Sequence, residues 1–112
     1  MKEIKSYIRV FKVNAVIRAL EGIGAPRLTA IDVRALGNEV DEEAFHVSME
    51  YGTTYTAMVK LEVICADSEA SKIVDTIRQV AHTGGKGDGV IAISEVGRLV
   101  GIRTGKEDEE AL

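Results

Sequence analysis

Two periodicities alternate along the chain, and the switches between them mark out its elements. Residues 2–11 alternate with period two. Ile4, Ile8 and Val10 fall on one side and Lys5, Tyr7, Arg9 and Phe11 on the other, which predicts a strand whose second face is also partly covered. From Val13 the spacing turns helical: Val13, Val16, Ile17, Leu20 and Ile23 recur at i, i+3, i+4 and i+7, and Gly22, Gly24 and Pro26 end the helix. Residues 28–36 return to alternation, with Leu28, Ala30, Asp32 and Arg34 opposite Thr29, Ile31, Val33 and Ala35. A third strand is predicted over 57–65, with Val59, Leu61, Val63 and Cys65 on one face. A second helix follows, capped by Asp67 or Ser68, and Ala70, Ile73, Val74, Ile77 and Ala81 form its buried stripe. Val90-Ile91-Ala92-Ile93 reads as a short buried strand, Val96 to Val100 as a connector, and Gly101-Ile102-Arg103 as a last edge strand. The stretch from about 105 to 112 reads as a solvated acidic tail.

Strand–helix–strand, repeated, is a doubled split β-α-β unit. The expectation is therefore an α+β, ferredoxin-like fold in one domain over 1–112: an antiparallel sheet with two helices on one face. The bare sheet face must be hidden. Its apolar groups predict that other copies of the chain hide it, in closed rotational symmetry.

Two stretches fall outside this scheme. The first runs from the polar turn Gly37-Asn38-Glu39-Val40-Asp41-Glu42-Glu43 through Phe45, Val47, Met49 and Tyr51, which alternate with His46, Ser48 and Glu50, to Gly52-Thr53-Thr54. A connection of about twenty residues within a small fold is usually functional or mobile, and this alternation predicts a projecting hairpin rather than a coil. The second is Thr83-Gly84-Gly85-Lys86-Gly87-Asp88-Gly89. Glycines allow positive φ and close approach of backbone N–H groups, and successive amides can form a nest for an anion such as phosphate. Lys86 adds a mobile cation, and Asp88 either accepts from a ribose hydroxyl or holds the turn. The run fits neither G-x-x-x-x-G-K-[ST] nor the helix-opening G-x-G-x-x-G. From the pattern alone a plain connection is the commoner reading, with the anion nest as the alternative.

Charge and composition narrow the field. A formal net charge of −4 argues against duplex nucleic acid as a partner. A lone cysteine, Cys65, permits no internal disulfide and fits a reducing compartment. Met1-Lys2-Glu3-Ile4-Lys5 lacks the apolar run of a signal peptide, and no stretch approaches the roughly 18 apolar residues of a membrane span. The chain is expected in the cytoplasm, with no nucleic acid and no direct insertion into a membrane. No nucleophile–base pair or flanking carboxylate pair is visible, so a binding module is favoured over an enzyme.

Over its full length the chain resembles the P-II signal-transduction proteins (nitrogen regulatory protein P-II). The resemblance rests on Ile8-Arg9-x-Phe11-Lys12, Leu28-Thr29, Gly37 at the base of the long loop, and Lys60-Leu61-Glu62-Val63. It continues in Thr83-Gly84-x-x-Gly87-Asp88-Gly89 and Ile102-Arg103-Thr104-Gly105, whose mutual spacing is the most specific part. It implies a homotrimer with three inter-subunit clefts, each binding an adenine nucleotide (ATP, ADP or AMP), with Mg2+ left open. Thr29 and Ile64 would then flank the adenine, with Glu62 nearby. Gly37 would open the mobile T-loop, about 37–58, which meets a membrane transporter or metabolic enzyme. Gly87, Asp88 and Gly89 would wrap phosphates and ribose, and Arg103 would supply a cation.

The departures from that family are as informative. Asn38 stands where the family usually has an arginine, and Glu39 where it has the glutamine that helps coordinate Mg-ATP and 2-oxoglutarate. Met58 replaces the lysine that pairs with 2-oxoglutarate, Val90 a phosphate-binding lysine, and Gly101 an arginine; Lys86 restores one cation at a position usually apolar. The expectation is a divergent member that keeps an adenine nucleotide and has lost the 2-oxoglutarate response. Tyr51 falls where the family can carry a modified tyrosine, but only Glu50-Tyr51 of the usual surroundings remains, so an ordinary hairpin aromatic is the simpler reading. The rival function is a metal-handling trimer of the copper-tolerance type, which shares the fold and would use His46, Glu50 or Cys65, although their spacing matches no standard ligand set. A purely structural trimer is the third reading. Cys65 is most simply a buried hydrophobe, His82 a complement to a helix end, and Asp41-Glu42-Glu43 a solvated run or a charge label for a basic partner surface.

Overall fold

The computed structural model describes residues 1–112. Its elements are β1 (Lys2–Arg9), α1 (Val13–Gly22), β2 (Leu28–Ala35), β3 (His46–Ser48), β4 (Thr53–Cys65), α2 (Asp67–Ala81) and β5 (Val90–Glu95), with short 3-10 turns between and after them. The five-stranded antiparallel sheet runs β2-β4-β1-β5, and β3 pairs with the far end of β4. Each β-α-β half is split by a strand of the other: β4 lies between β1 and β2, and β1 between β4 and β5. This is the ferredoxin-like arrangement that the order of periodicities predicts.

The core forms where the period-two and period-3.6 stripes meet. Ile4, Ile8, Val59, Leu61, Val63 and Cys65 point from the sheet to Val16 and Leu20 of α1 and Ile73, Ile77 and Ala81 of α2. Helix α1 closes through Gly24, which adopts φ +74° and donates its N–H to the Glu21 carbonyl, while Ala25 donates to Leu20. No helix is long and apolar enough to cross a membrane.

Several boundaries differ from the sequence expectation. Strand β1 stops at Arg9, and residues 10–12 wind into a 3-10 turn that leaves Val10 and Phe11 exposed. Strand β4 begins at Thr53, because 46–48 and 53–55 pair as the arms of a hairpin around Gly52 (φ +65°). No strand forms at 101–103; the chain turns there, closed by a bridge between Val100 and Glu107. Residues 106–110 are exposed, as a solvated acidic run would be, but 108–111 wind into a 3-10 turn that docks through Ala111. Ala111 is buried, its carbonyl accepts from Arg27, and Asp108 donates its N–H to the Leu99 carbonyl. Neither Asp67 nor Ser68 caps α2. The N-cap is Ala66 without a side-chain bond, and the Asp67 carboxylate instead pairs with the chain's amino terminus at 2.9 Å.

Candidate functional site

Register places three of the sequence-predicted residues, Thr29, Glu62 and Ile64, on the bare face of the sheet. Thr29 pairs with Glu62, and Glu62 pairs with Lys5; one row along, Ile31, Lys60, Tyr7 and Val90 align; in the next, Val33, Met58 and Arg9. Thr29 and Glu62 are therefore direct cross-strand neighbours, with Ile64 two residues further along the same face. Ile64 also lines a cleft of about 420 Å3 with Arg27 and the turn from Leu99 to Thr104, which carries the exposed Arg103.

The glycine loop sits at the other end of β1. Gly89, at φ +94°, packs on the Tyr7 carbonyl so closely that a Cβ there would lie 1.7 Å from its oxygen. Tyr7 pairs with Lys60, and Ile64 lies four residues beyond Lys60. At about 3.3 Å per residue, the loop and the Ile64–Arg103 cleft stand about 13 Å apart along the strands. Within one chain, Thr29, Glu62, Ile64 and Arg103 gather at one end and Lys86, Gly87, Asp88 and Gly89 at the other.

Asp88 holds the loop together. It accepts N–H bonds from Thr83 (2.8 Å) and Gly84 (2.9 Å), the Thr83 hydroxyl, and Arg9 Nε (3.1 Å). Burial opposes the charged form of Asp88, but the Thr83, Gly84 and Arg9 bonds outweigh it and hold its pKa far below the usual carboxylate range. The Gly85 N–H is likewise used internally, by the Thr83 hydroxyl. Of the two roles open to Asp88 from sequence, this chain shows the turn-holding one.

Arg9 reaches a second carboxylate. Its Nη1 donates to Asp41 Oδ2 at 2.5 Å, so one guanidinium joins the glycine loop to the base of the long loop. Asp41 is fixed from three sides: its N–H donates to Thr56 Oγ1 (2.7 Å), and its carboxylate accepts from the Glu43 N–H (3.0 Å) and from Arg9. The Glu43 bond, then the Arg9 bond, hold the Asp41 pKa below its ordinary value. A Cβ on Gly87 would meet Asp41 Oδ2 at 2.5 Å and Arg9 Nη2 at 2.9 Å. Sequence reading missed this triad. Asp41 reads as one of three solvated acids, and Arg9 only as a motif letter; nothing local says that they meet.

Gly37, at φ +62°, opens a 3-10 turn over Gly37–Glu39 and leaves Asn38 exposed. Glu39 and Met58 line one cleft of about 330 Å3 with Tyr7, Val33, Leu36 and Val90. Its one cationic wall residue, Arg34, is engaged elsewhere: 5.5 Å and 4.8 Å over the Tyr51 and Tyr55 rings, and 3.5 Å from Glu50. Tyr51 is thus an exposed hairpin residue beneath Arg34, and His46 stacks on Tyr55. Cys65 is sealed in the core, ten residues along β4 from Tyr55, or about 33 Å. It cannot share an ion with His46 or Glu50 of the same chain, and no three His, Cys, Asp or Glu side chains cluster suitably for a metal.

Comparison with known proteins agrees with this architecture. The sequence model of the family described as Nitrogen regulatory protein P-II matches residues 1–106. Among curated proteins, the chain is similar to Nitrogen regulatory protein GlnK of Escherichia coli (strain K12), with 35% identity across the whole of both chains. It is 32% identical, again over both full lengths, to Nitrogen regulatory protein P-II of Pasteurella multocida (strain Pm70), and 35% to that of Klebsiella oxytoca.

Proposed function

The chain belongs to the nitrogen regulatory protein P-II family, and on that premise we propose that it is a regulatory homotrimer read out by an adenine nucleotide. The nucleotide binds at clefts between copies in the cytoplasm. Thr29, Glu62 and Ile64 receive the base, and Gly87 and Gly89 present backbone to the phosphates or ribose. Lys86 and Arg103 supply cations, and Gly37 and Asn38 border the cleft where the long loop leaves the sheet. The carrying observation is the separation of these groups. They form two half-sites about 13 Å apart along the strands, one at either end of the bare sheet face, which a second copy laid on that face can complete.

The partner surface is the segment 37–58, whose hairpin exposes Val47 and Met49; a membrane transporter or metabolic enzyme is the partner class. A response to 2-oxoglutarate is lost. The cleft lined by Glu39 and Met58 offers a dicarboxylate a carboxylate and a thioether, and its one cation, Arg34, is already engaged by Glu50 and two tyrosine rings. Each charge-assisted bond forgone there is worth about 1.5–3 kcal/mol.

Sedimentation of the full chain, with calorimetry against ATP, ADP, AMP and 2-oxoglutarate, each with and without Mg2+, tests the reading. A trimer that binds at least one nucleotide and ignores 2-oxoglutarate is the expected result. A monomer, or a trimer silent to all three nucleotides, would sink it.

A further inference from the structure

The triad at the end of β1 couples two segments that the proposed function keeps separate. Arg9 belongs to a strand, Asp88 to the glycine loop and Asp41 to the long loop. The Asp41 carboxylate lies directly against Gly87, where not even a methyl group fits between it and the backbone. An anion approaching Gly87 therefore meets a carboxylate already in its path. That carboxylate is bonded to the nearest guanidinium, and Arg9 with its two partners sums to one net negative charge.

We infer that Asp41 is a built-in competitor for the glycine loop: while it is docked on Arg9, the base of the long loop is held down and the Gly87 backbone is closed to anions. A phosphate that takes the Gly87 position expels Asp41, claims Arg9 and releases residues 40–45. This inference rests on the nucleotide reading and deepens it, because it supplies the difference between loop states that a ligand must exploit to switch anything. Asp41 sets the threshold of that exchange. It charges every anionic ligand the loss of an existing ion pair, and hydrogen bonds to a charged group are large enough for about a tenfold effect.

Amide hydrogen exchange on the assembled full chain, with and without saturating ADP, tests it in the wild type and in Asp41→Ala and Arg9→Lys. The lysine variant keeps the charge but cannot fork to two carboxylates. In the wild type, ADP is expected to speed exchange over 40–45 by about tenfold. In either variant that segment should already exchange fast, ADP should add little, and calorimetry should give Asp41→Ala about tenfold tighter ADP binding. Wild-type exchange rates in both variants, or protection of 40–45 by ADP, overturn the latch. If ADP gives no heat with any of the three proteins, the nucleotide reading falls and the competition with it. ADP heat without any change in exchange defeats the latch alone.

Discussion

At the glycine-loop end of the bare sheet face a single arginine, Arg9, answers two carboxylates, whereas at the other end Arg27 and Arg103 line a cleft with no carboxylate in its walls. The glycines differ in the same way. A Cβ on Gly87 or Gly89 would meet atoms at 2.5 and 1.7 Å, whereas on Gly101, in the wall of the other cleft, the nearest is the Thr104 hydroxyl at 3.0 Å. A glycine-rich run in a sequence thus has two sources that look alike: backbone cleared for a ligand, and backbone cleared for the protein's own side chains. Here the loop satisfies itself first, and the surplus positive charge lies elsewhere.

The largest expected break in this comparison is Gly89→Ala. Its Cβ would overlap the Tyr7 carbonyl and its φ is strongly positive, so β5 or the loop must shift. The cost should be about 3 kcal/mol or more in urea unfolding. Next comes Arg9→Ala, which strands Asp41 and Asp88 together and should cost about 2 kcal/mol. Its pH dependence sharpens the point. Both carboxylates have pKa values lowered in the folded chain, so their contribution is complete above the unfolded carboxylate pKa of about 3.9 and fades as pH falls below it. The stability gap between wild type and Arg9→Ala should therefore be widest near neutral pH and shrink in acid. A gap that grows on acidification would contradict the ion-pair account.

The fold was legible because each element repeats one period with few exceptions, and the burial of Ile4, Ile8, Leu61 and Val63 follows directly from it. Local pattern fails where partners are distant in sequence. Residues 10–12 continue the alternation of β1, yet the chain must leave the sheet to start α1, so Val10 and Phe11 end up exposed. The acidic tail looks like any solvated run; its docking depends on Arg27, eighty-four residues away. At the candidate site, the family motifs singled out Thr29 and Glu62 separately, and strand register makes them neighbours. Asp41 was not, because its role exists only through Arg9 and Gly87.

At the cationic end the expected effects move from stability to binding. Arg103 is exposed and has no ionic partner, so Arg103→Ala should leave the urea midpoint unchanged while weakening ADP about tenfold, with partial rescue by lysine. Equal losses of stability and affinity would make it a structural residue instead.

The smallest effect should come from Arg27→Gly, and its size is informative. Arg27 holds φ +47°, a conformation that costs a non-glycine residue about 1 kcal/mol, and its Nε donates to the Ala111 carbonyl at 2.9 Å. Glycine removes the strain together with both guanidinium bonds to that carbonyl, and because a charge-assisted donor outweighs the relieved strain the net loss should be about 1 kcal/mol. Arg27→Ala loses the same bonds but keeps the strain, and should fall about 1 kcal/mol below Arg27→Gly. In both variants amide exchange over 107–111 should quicken, since the same carbonyl loses its donor. If alanine and glycine are equally stable, the backbone at 27 is not held in the left-handed region by the turn after α1, and the docked C-terminal turn is what imposes it.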